Sequence, residues 1–213
     1  MLGMDPSRAL AVGTALCLVL VAGCAGEQPT TDPPSAVHTH AGDGHAMDAV
    51  PEPPASADWN AADATYLTMM VAHHSQAIDL TELAAERAVD PRVRRLAAGI
   101  DAGQGREVLV MAAWLVDHDL PEPTVEGVAA MTEVGMPGML TTAQVDALAA
   151  TDGTAFDRRF LEDMIQHHQG AVGMAEQQVV EGEDLRATEM ASDVIAGQSA
   201  EITRMRELLR ALP

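Results

Sequence analysis

Met70-Val71-Ala72-His73-His74-Ser75-Gln76-Ala77-Ile78 and Met164-Ile165-Gln166-His167-His168-Gln169-Gly170-Ala171-Val172 are one motif written twice, 94 residues apart. The register holds on both sides of the motif without a gap. Tyr66-Leu67 falls on Phe160-Leu161, Glu82 on Glu176, Arg92 on Arg186, Gln104 on Gln198, Glu107 on Glu201 and Met111 on Met205. Self-similarity at a fixed offset marks a supersecondary unit used twice. The unit is two helices, so two tandem αα-hairpins predict an all-α four-helix bundle with approximate two-fold symmetry.

Composition agrees. The 213 residues carry 12 Lys+Arg, all of them Arg, against 32 Asp+Glu, for a formal charge of −20. A nucleic-acid partner is excluded by that balance, because affinity for phosphate backbones comes from clustered cations. Trp59, Trp114, Tyr66, Phe156 and Phe160 are the only aromatics, while Ala, Leu, Met, Glu and Arg abound. These are helix formers, which disfavours a β-sandwich. Ala, Leu, Val, Ile and Met must then fill the core, with the helices packed closely.

Punctuation gives the boundaries. Helix one is predicted over 58–88, with Asp58 as N-cap. Asp90-Pro91 caps and starts helix two, which runs to about 116, since Pro at the first helical position loses nothing by lacking an N–H. A connector, 118–153, contains Pro121, Pro123, Gly127, Gly135, Pro137 and Gly138, with a short helix from Thr142 to Ala150. Thr154 opens helix three, Gly182 ends it, and helix four follows from Asp184 to Leu212. The bundle thus spans 58–213, with repeat one at 58–117 and repeat two at 154–213. Each main helix is roughly 40 Å long at 1.5 Å per residue.

The N-terminal residues read differently. Ala9 to Ala22 form an apolar run too short to span a bilayer comfortably. It ends in Leu20-Val21-Ala22-Gly23-Cys24, and small residues before a Cys resemble a bacterial lipobox. The expectation is a lipoprotein signal peptide at 1–23 and a lipid on Cys24, which anchors the protein to the membrane outside the cytoplasm. A plain secretory signal cleaved nearby is the alternative. Residues 24–57 hold six prolines and almost no large apolar side chain, so they should form a disordered tether. His38, His40, His45 and Met47 lie within it. They are either an accessory metal-capture tract or incidental residues of an acidic stalk.

Chemistry concentrates in the repeats. At 100° per residue, Met70, His73, His74 and Ala77 share the inward face of helix one, and Met164, His167, His168 and Ala171 that of helix three. Ala97, Ile100, Gln104, Val108, Met111 and Leu115 form the stripe of helix two, with Glu107 at its edge. Ala191, Val194, Gln198, Ile202, Met205 and Leu209 repeat it in helix four, with Glu201 at the edge. Four imidazoles, two amides, two carboxylates and four thioethers are therefore expected around the pseudo-two-fold axis. Burying so many polar groups is costly unless they are satisfied. Metal coordination is one solution, and His–Gln or His–Glu hydrogen bonds that fix register are the other. Imidazole with thioether suits copper, His for Cu(II) and Met for Cu(I), though another transition metal is possible. An ordinary imidazole predicts that Cu(II) binding weakens as pH falls through about 6.5. Met131, Met136 and Met139 suggest an accessory Cu(I) site in the connector.

Phe160-Leu161-Glu162-Asp163-Met164-Ile165-Gln166-His167-His168-Gln169-Gly170-Ala171-Val172-Gly173-Met174-Ala175, with Met69-Met70-Val71-Ala72-His73-His74-Ser75-Gln76-Ala77-Ile78-Asp79-Leu80, resembles the signature of the bacterial family called domain of unknown function 305. The resemblance covers 58–213. It implies a ferritin-like four-helix fold, an extracytoplasmic setting and copper binding by His73, His74, His167 and His168 with Met70 and Met164. The family's usual Pro before His-His is replaced by Ala72 and Gln166, which alters the helix locally without removing a ligand.

The site residues expected to hold metal are thus His73, His74, His167, His168, Met70, Met164, Met111, Met205, Glu107 and Glu201. The favoured function is a non-enzymatic copper buffer, scavenger or delivery protein, with a copper-handling protein as a possible partner. A metal-dependent oxidase and a structural lipoprotein with core histidines are the alternatives. Di-iron bundles use Glu-x-x-His, and Met70 and Met164 occupy those Glu positions here, which counts against the oxidase. Deleting residues 25–54 should shift the melting temperature by no more than a degree or two, because the segment can bury little. A fall of many degrees would mean that it packs on the bundle.

Overall fold

The computed structural model describes residues 52–124, 127 and 135–213. Cys24, the leader, His38, His40, His45, Met47 and Met131 lie outside the described residues. Five helices and no strand occur among those described: α1 (Ala61–Arg87), α2 (Pro91–Asp117), α3 (Thr142–Ala149), α4 (Gly153–Glu181) and α5 (Leu185–Ala211). None is long and apolar enough to cross a membrane.

Local chemistry explains the ends. Asn60, not Asp58, caps α1: its Oδ1 accepts from the Ala62 and Asp63 amides, and Asp63 Oδ2 accepts from the Asn60 amide. The reciprocal box needs an acceptor three residues on, which Asn60 has in Asp63 and Asp58 lacks in Ala61. Asp90 caps α2 with Pro91 behind it, and Asp184 caps α5 through the Ala187 amide. At the end of α2, Asp119 takes φ 57° and the Leu120 amide reaches back to the Leu115 carbonyl at 2.9 Å. This is a Schellman stop with Asp in the left-handed position that Gly usually fills.

The four long helices pair as expected. α1 packs on α2 and α4 on α5, and the hairpins meet where α1 lies against α4. Met70, His73, His74 and Ala77 on α1, and their counterparts on α4, are fully buried. Gln104 and Gln198 are each only 3% exposed, so the stripes of α2 and α5 face inward. The apolar core falls into two clusters. One holds Met70, Met111, Ala171 and Met174; the other holds Ala77, Met164, Leu80 and Met205. Along α1 the pair His73-His74 separates Met70 from Ala77, and along α4 His167-His168 separates Met164 from Ala171. A polar layer therefore divides the core.

Two buried carboxylates lock the hairpins reciprocally. Asp63 on α1 accepts from the Glu183 and Asp184 amides (3.1 and 3.0 Å) in the turn between α4 and α5, and from Gln178. Asp157 on α4 accepts from the Val89 and Asp90 amides (3.0 and 2.8 Å) in the turn between α1 and α2. Each first helix thus satisfies the exposed turn donors of the opposite hairpin. Asp63 and Asp157 obey the 94-residue offset and were not among the expected functional positions. Asp63→Ala and Asp157→Ala each strand buried amides, at about 1–3 kcal/mol per donor. Urea unfolding should show each variant losing at least ~2 kcal/mol, against less than ~0.5 kcal/mol for the exposed control Asp101→Ala. Losses no larger than the control's would show that these bonds do not hold the hairpins together.

Candidate metal centre

The polar layer sits where α1 crosses α4. His73 and His167, at equivalent heights on the two helices, bring their rings to a centroid separation of 3.8 Å. His74 and His168 follow at about 100° further round and point to the partner helix of their own hairpin. His74 Nε2 meets Glu107 Oε2 at 2.7 Å, and His168 Nε2 meets Glu201 Oε2 at 2.9 Å. Both imidazoles are fully buried, while the carboxylates reach toward solvent from the bundle edge.

The four histidines share one layer, but they do not converge on a single point. Among the described residues no three of these histidines each bring a nitrogen within 4.8 Å of the other two. The expected crowding around one axis is replaced by a central His73–His167 pair flanked by two His–Glu dyads. Only the residue facing the axis can cross to its twin, since helix axes stand ~8–10 Å apart. The thioethers divide likewise: Met70 and Met111 belong to one apolar cluster, Met164 and Met205 to the other.

The connector closes over this layer. The Pro137 carbonyl accepts from His73 Nε2 at 3.1 Å. Gln76 clamps Leu140 from both sides, its amide donating to the Leu140 carbonyl and its oxygen accepting from the Leu140 amide, each at 2.8 Å. The position equivalent to Gln76 in α4 is Gly170, where an added Cβ would stand 2.0 Å from the Pro137 carbonyl oxygen. Gly138, at φ 81°, completes that close approach. The clamp turns Met136 and Met139 inward, so both are core residues packed with Met70 and Met111. Of the accessory site expected from Met131, Met136 and Met139, the last two are therefore core residues and Met131 lies outside the described residues.

Hydrogen bonding fixes the available lone pairs. His74 and His168 direct Nε2 to carboxylates and His73 donates Nε2–H to a carbonyl, so the Nδ1 of each ring stands outside these bonds. All three Nδ1 atoms, and both nitrogens of His167, are buried without a partner. So are both amide atoms of Gln104 and Gln198, and the hydroxyl of Tyr66. Buried polar atoms are nearly always satisfied, so such a concentration of orphans in one layer fits a ligand set. A carboxylate on one imidazole nitrogen with the other free is also how proteins orient metal-binding histidines.

Electrostatics keep the central pair neutral. Burial, reinforced by His74 and His168, lowers His73 to about 3; burial together with the other three imidazoles holds His167 well below the ordinary value. Lone pairs on these two rings therefore stay available below the ordinary imidazole value. Burial, aided by the negative Glu107, pushes Tyr66 above the usual phenol range. Tyr66 was read only as a repeat partner of Phe160. Its hydroxyl is what that pairing lacks on the other side, a signal present in the sequence.

A helical bundle built from two His-His hairpins around a buried imidazole pair defines a class. The chain belongs to the family of the domain of unknown function DUF305, whose profile matches residues 63–209. A DUF305 protein of Streptomyces coelicolor is 32% identical with a TM-score of 0.64, over 70% of this chain and 93% of that one. A DUF305 fragment from Deinococcus radiodurans is 29% identical with a TM-score of 0.63, over 76% of this chain and all of that one. CopM in its Cu(I)-bound form is 32% identical with a TM-score of 0.59, over 70% of this chain and 96% of that one. CopM has also been solved with Cu(II) and with silver. No curated protein matches the chain.

The depressed histidines give a pH dependence. The unfolded imidazoles protonate as pH falls through about 6.5, whereas the folded His73 resists until about 3. Between these values the unfolded chain binds more protons, so stability is complete above 6.5 and declines below it. The slope is about 1.4 kcal/mol per pH unit for each such histidine. Urea midpoints of the metal-free protein should fall steadily from pH 7 to 5, and His73→Phe should flatten the profile. A profile already flat in the wild type would contradict the neutral burial of these rings.

Proposed function

We propose that the protein is an extracytoplasmic copper binder, lipid-anchored through Cys24, that buffers, scavenges or delivers the metal and catalyses no reaction. The observation that carries this reading is the layer of four buried imidazoles, with His73 and His167 held neutral and a nitrogen of every ring left without a partner. Imidazole binds Cu(II), and Met70, Met164, Met111 and Met205 supply soft thioethers on both sides of the layer for Cu(I). CopM, a relative of the same family, is known in Cu(I)- and Cu(II)-bound forms. Glu107 and Glu201 orient His74 and His168 rather than ligating. Cargo binding rather than turnover fits a site whose central imidazoles are sealed beneath the connector. The apolar run before Cys24 supports export and lipidation.

Copper analysis of protein purified without a His-tag tests the reading. At least one copper per chain is expected, and His167→Ala with His168→Ala should abolish high-affinity Cu(II) binding with the helical content retained. Wild-type affinity in the double variant would place the ligands elsewhere, His38, His40 and His45 being the first candidates. Iron near two per chain would instead favour the oxidase. Separately, Cys24→Ser should move the protein from the membrane fraction to the soluble fraction. Retention at the membrane would refute the anchor.

A further inference from the structure

Asp58, His118 and Asp184 each offer one ligand atom, and these atoms lie within 4.8 Å of one another. No other set of three His, Cys, Asp or Glu does so among the described residues. The three come from the segment leading into α1, the C-cap of α2 and the N-cap of α5. They take no part in the histidine layer and lie at one end of the bundle.

The histidine is prepared as a ligand. His118 Nδ1–H donates to the Trp114 carbonyl at 2.7 Å, which leaves Nε2 with its lone pair free. Its ring stacks on the Trp114 indole at 3.9 Å, with Trp59 edge-on at 5.6 Å. The Schellman stop at Asp119 fixes the backbone beneath it. A carbonyl on one nitrogen, a locked ring plane and a free second nitrogen make the usual second-sphere arrangement around a metal-binding histidine.

The carboxylates lack a cation, and the internal repeat shows this. Asp184 is only 6% exposed, and its hydrogen bonds from Trp114 Nε1 and the Ala187 amide both fall on Oδ1, leaving Oδ2 without a donor. Its counterpart 94 residues earlier, Asp90, is held by the Arg92 guanidinium at 2.6 Å. The arginine equivalent to Arg92 is Arg186, which turns instead to Asp117 at 3.6 Å. His118 has the apolar Leu212 as its equivalent. One end of the bundle thus neutralises its cap carboxylate with Arg. The other withdraws the Arg and sets an imidazole beside its two carboxylates, where the end with Asp90 and Asp152 has Leu212.

We propose that Asp58, His118 and Asp184 form a second metal site, for a borderline divalent cation of the Zn(II) type. One imidazole nitrogen and two carboxylate oxygens are a Zn(II) donor set with room for a fourth ligand, and they lack the sulfur that Cu(I) prefers. Bound there, the cation clips the root of α1 to the ends of α2 and α5. The site stands independently of the copper reading.

The chain's only two tryptophans, Trp59 and Trp114, flank the site and report on it. Zn(II) titrated into the full chain should change the tryptophan emission saturably. Asp58→Asn, at an exposed position outside the helices, should raise the apparent Kd at least tenfold, and His118→Gln should do the same. His167→Ala with His168→Ala should leave the Zn(II) response unchanged. Wild-type affinity in Asp58→Asn and His118→Gln would overturn the proposal, as would loss of the response in the His167/His168 double variant or no emission change at all.

Discussion

The contact between His73 and His167 is the constraint on which the rest of the bundle is arranged. Two imidazoles at 3.8 Å bring no hydrophobic gain, and the neighbouring orphaned nitrogens and amides add desolvation cost. A sequence that only had to fold would fill this layer with Leu. The layer can persist because stabilising terms are placed on both sides of it. Two apolar clusters grip α1 and α4 above and below, and the Asp63 and Asp157 locks fix the hairpins against sliding. Sliding by one turn would separate the histidines and break both locks together. The carboxylate locks therefore set the register that the histidine layer needs.

Much of this was legible in the chain because the 94-residue offset supplies two independent copies of each inference. Helix number, pairing, inward stripes and the histidine layer follow from periodicity seen twice. The failures occur where geometry beyond one helix decides. Facing residues on helices one diameter apart meet only in pairs, so four inward histidines became a pair and two dyads. Met136 and Met139 looked like a loop motif because the Gln76 clamp, 64 residues away in sequence, was invisible. Asp63 and Asp157 carried the same offset as the histidines, but a lone Asp on a helix reads as surface until its partners in the opposite hairpin are known. Asp58 was read as a cap from its type alone, when Asp63 decided in favour of Asn60.

Departures from the repeat are as informative as its agreements. Symmetry explains what both halves share: the dyads, the orphaned glutamines and the locks. Tyr66 against Phe160, Gln76 against Gly170 and His118 against Leu212 are positions where the halves have diverged within an unchanged backbone. Gln76 holds the loop that covers the histidine layer, Tyr66 lies about two turns before that layer on α1, and His118 caps α2. Packing decides one of these differences, since a Cβ at residue 170 would strike the Pro137 carbonyl, and does not by itself require the other two.

The divergence at Gln76 and Gly170 makes the histidine layer itself unequal. The connector can settle only once, and it settles where Gln76 grips it and Gly170 offers no Cβ to repel it. His73 thereby commits Nε2 to Pro137, while His167, its twin, makes no such bond to the connector. One imidazole of the pair is thus fixed by the connector and the other is not. An inward-facing histidine anchored to a carbonyl beside one with no anchor is an arrangement a strictly symmetric bundle could not provide. The single connector, rather than the duplicated helices, gives the site its polarity.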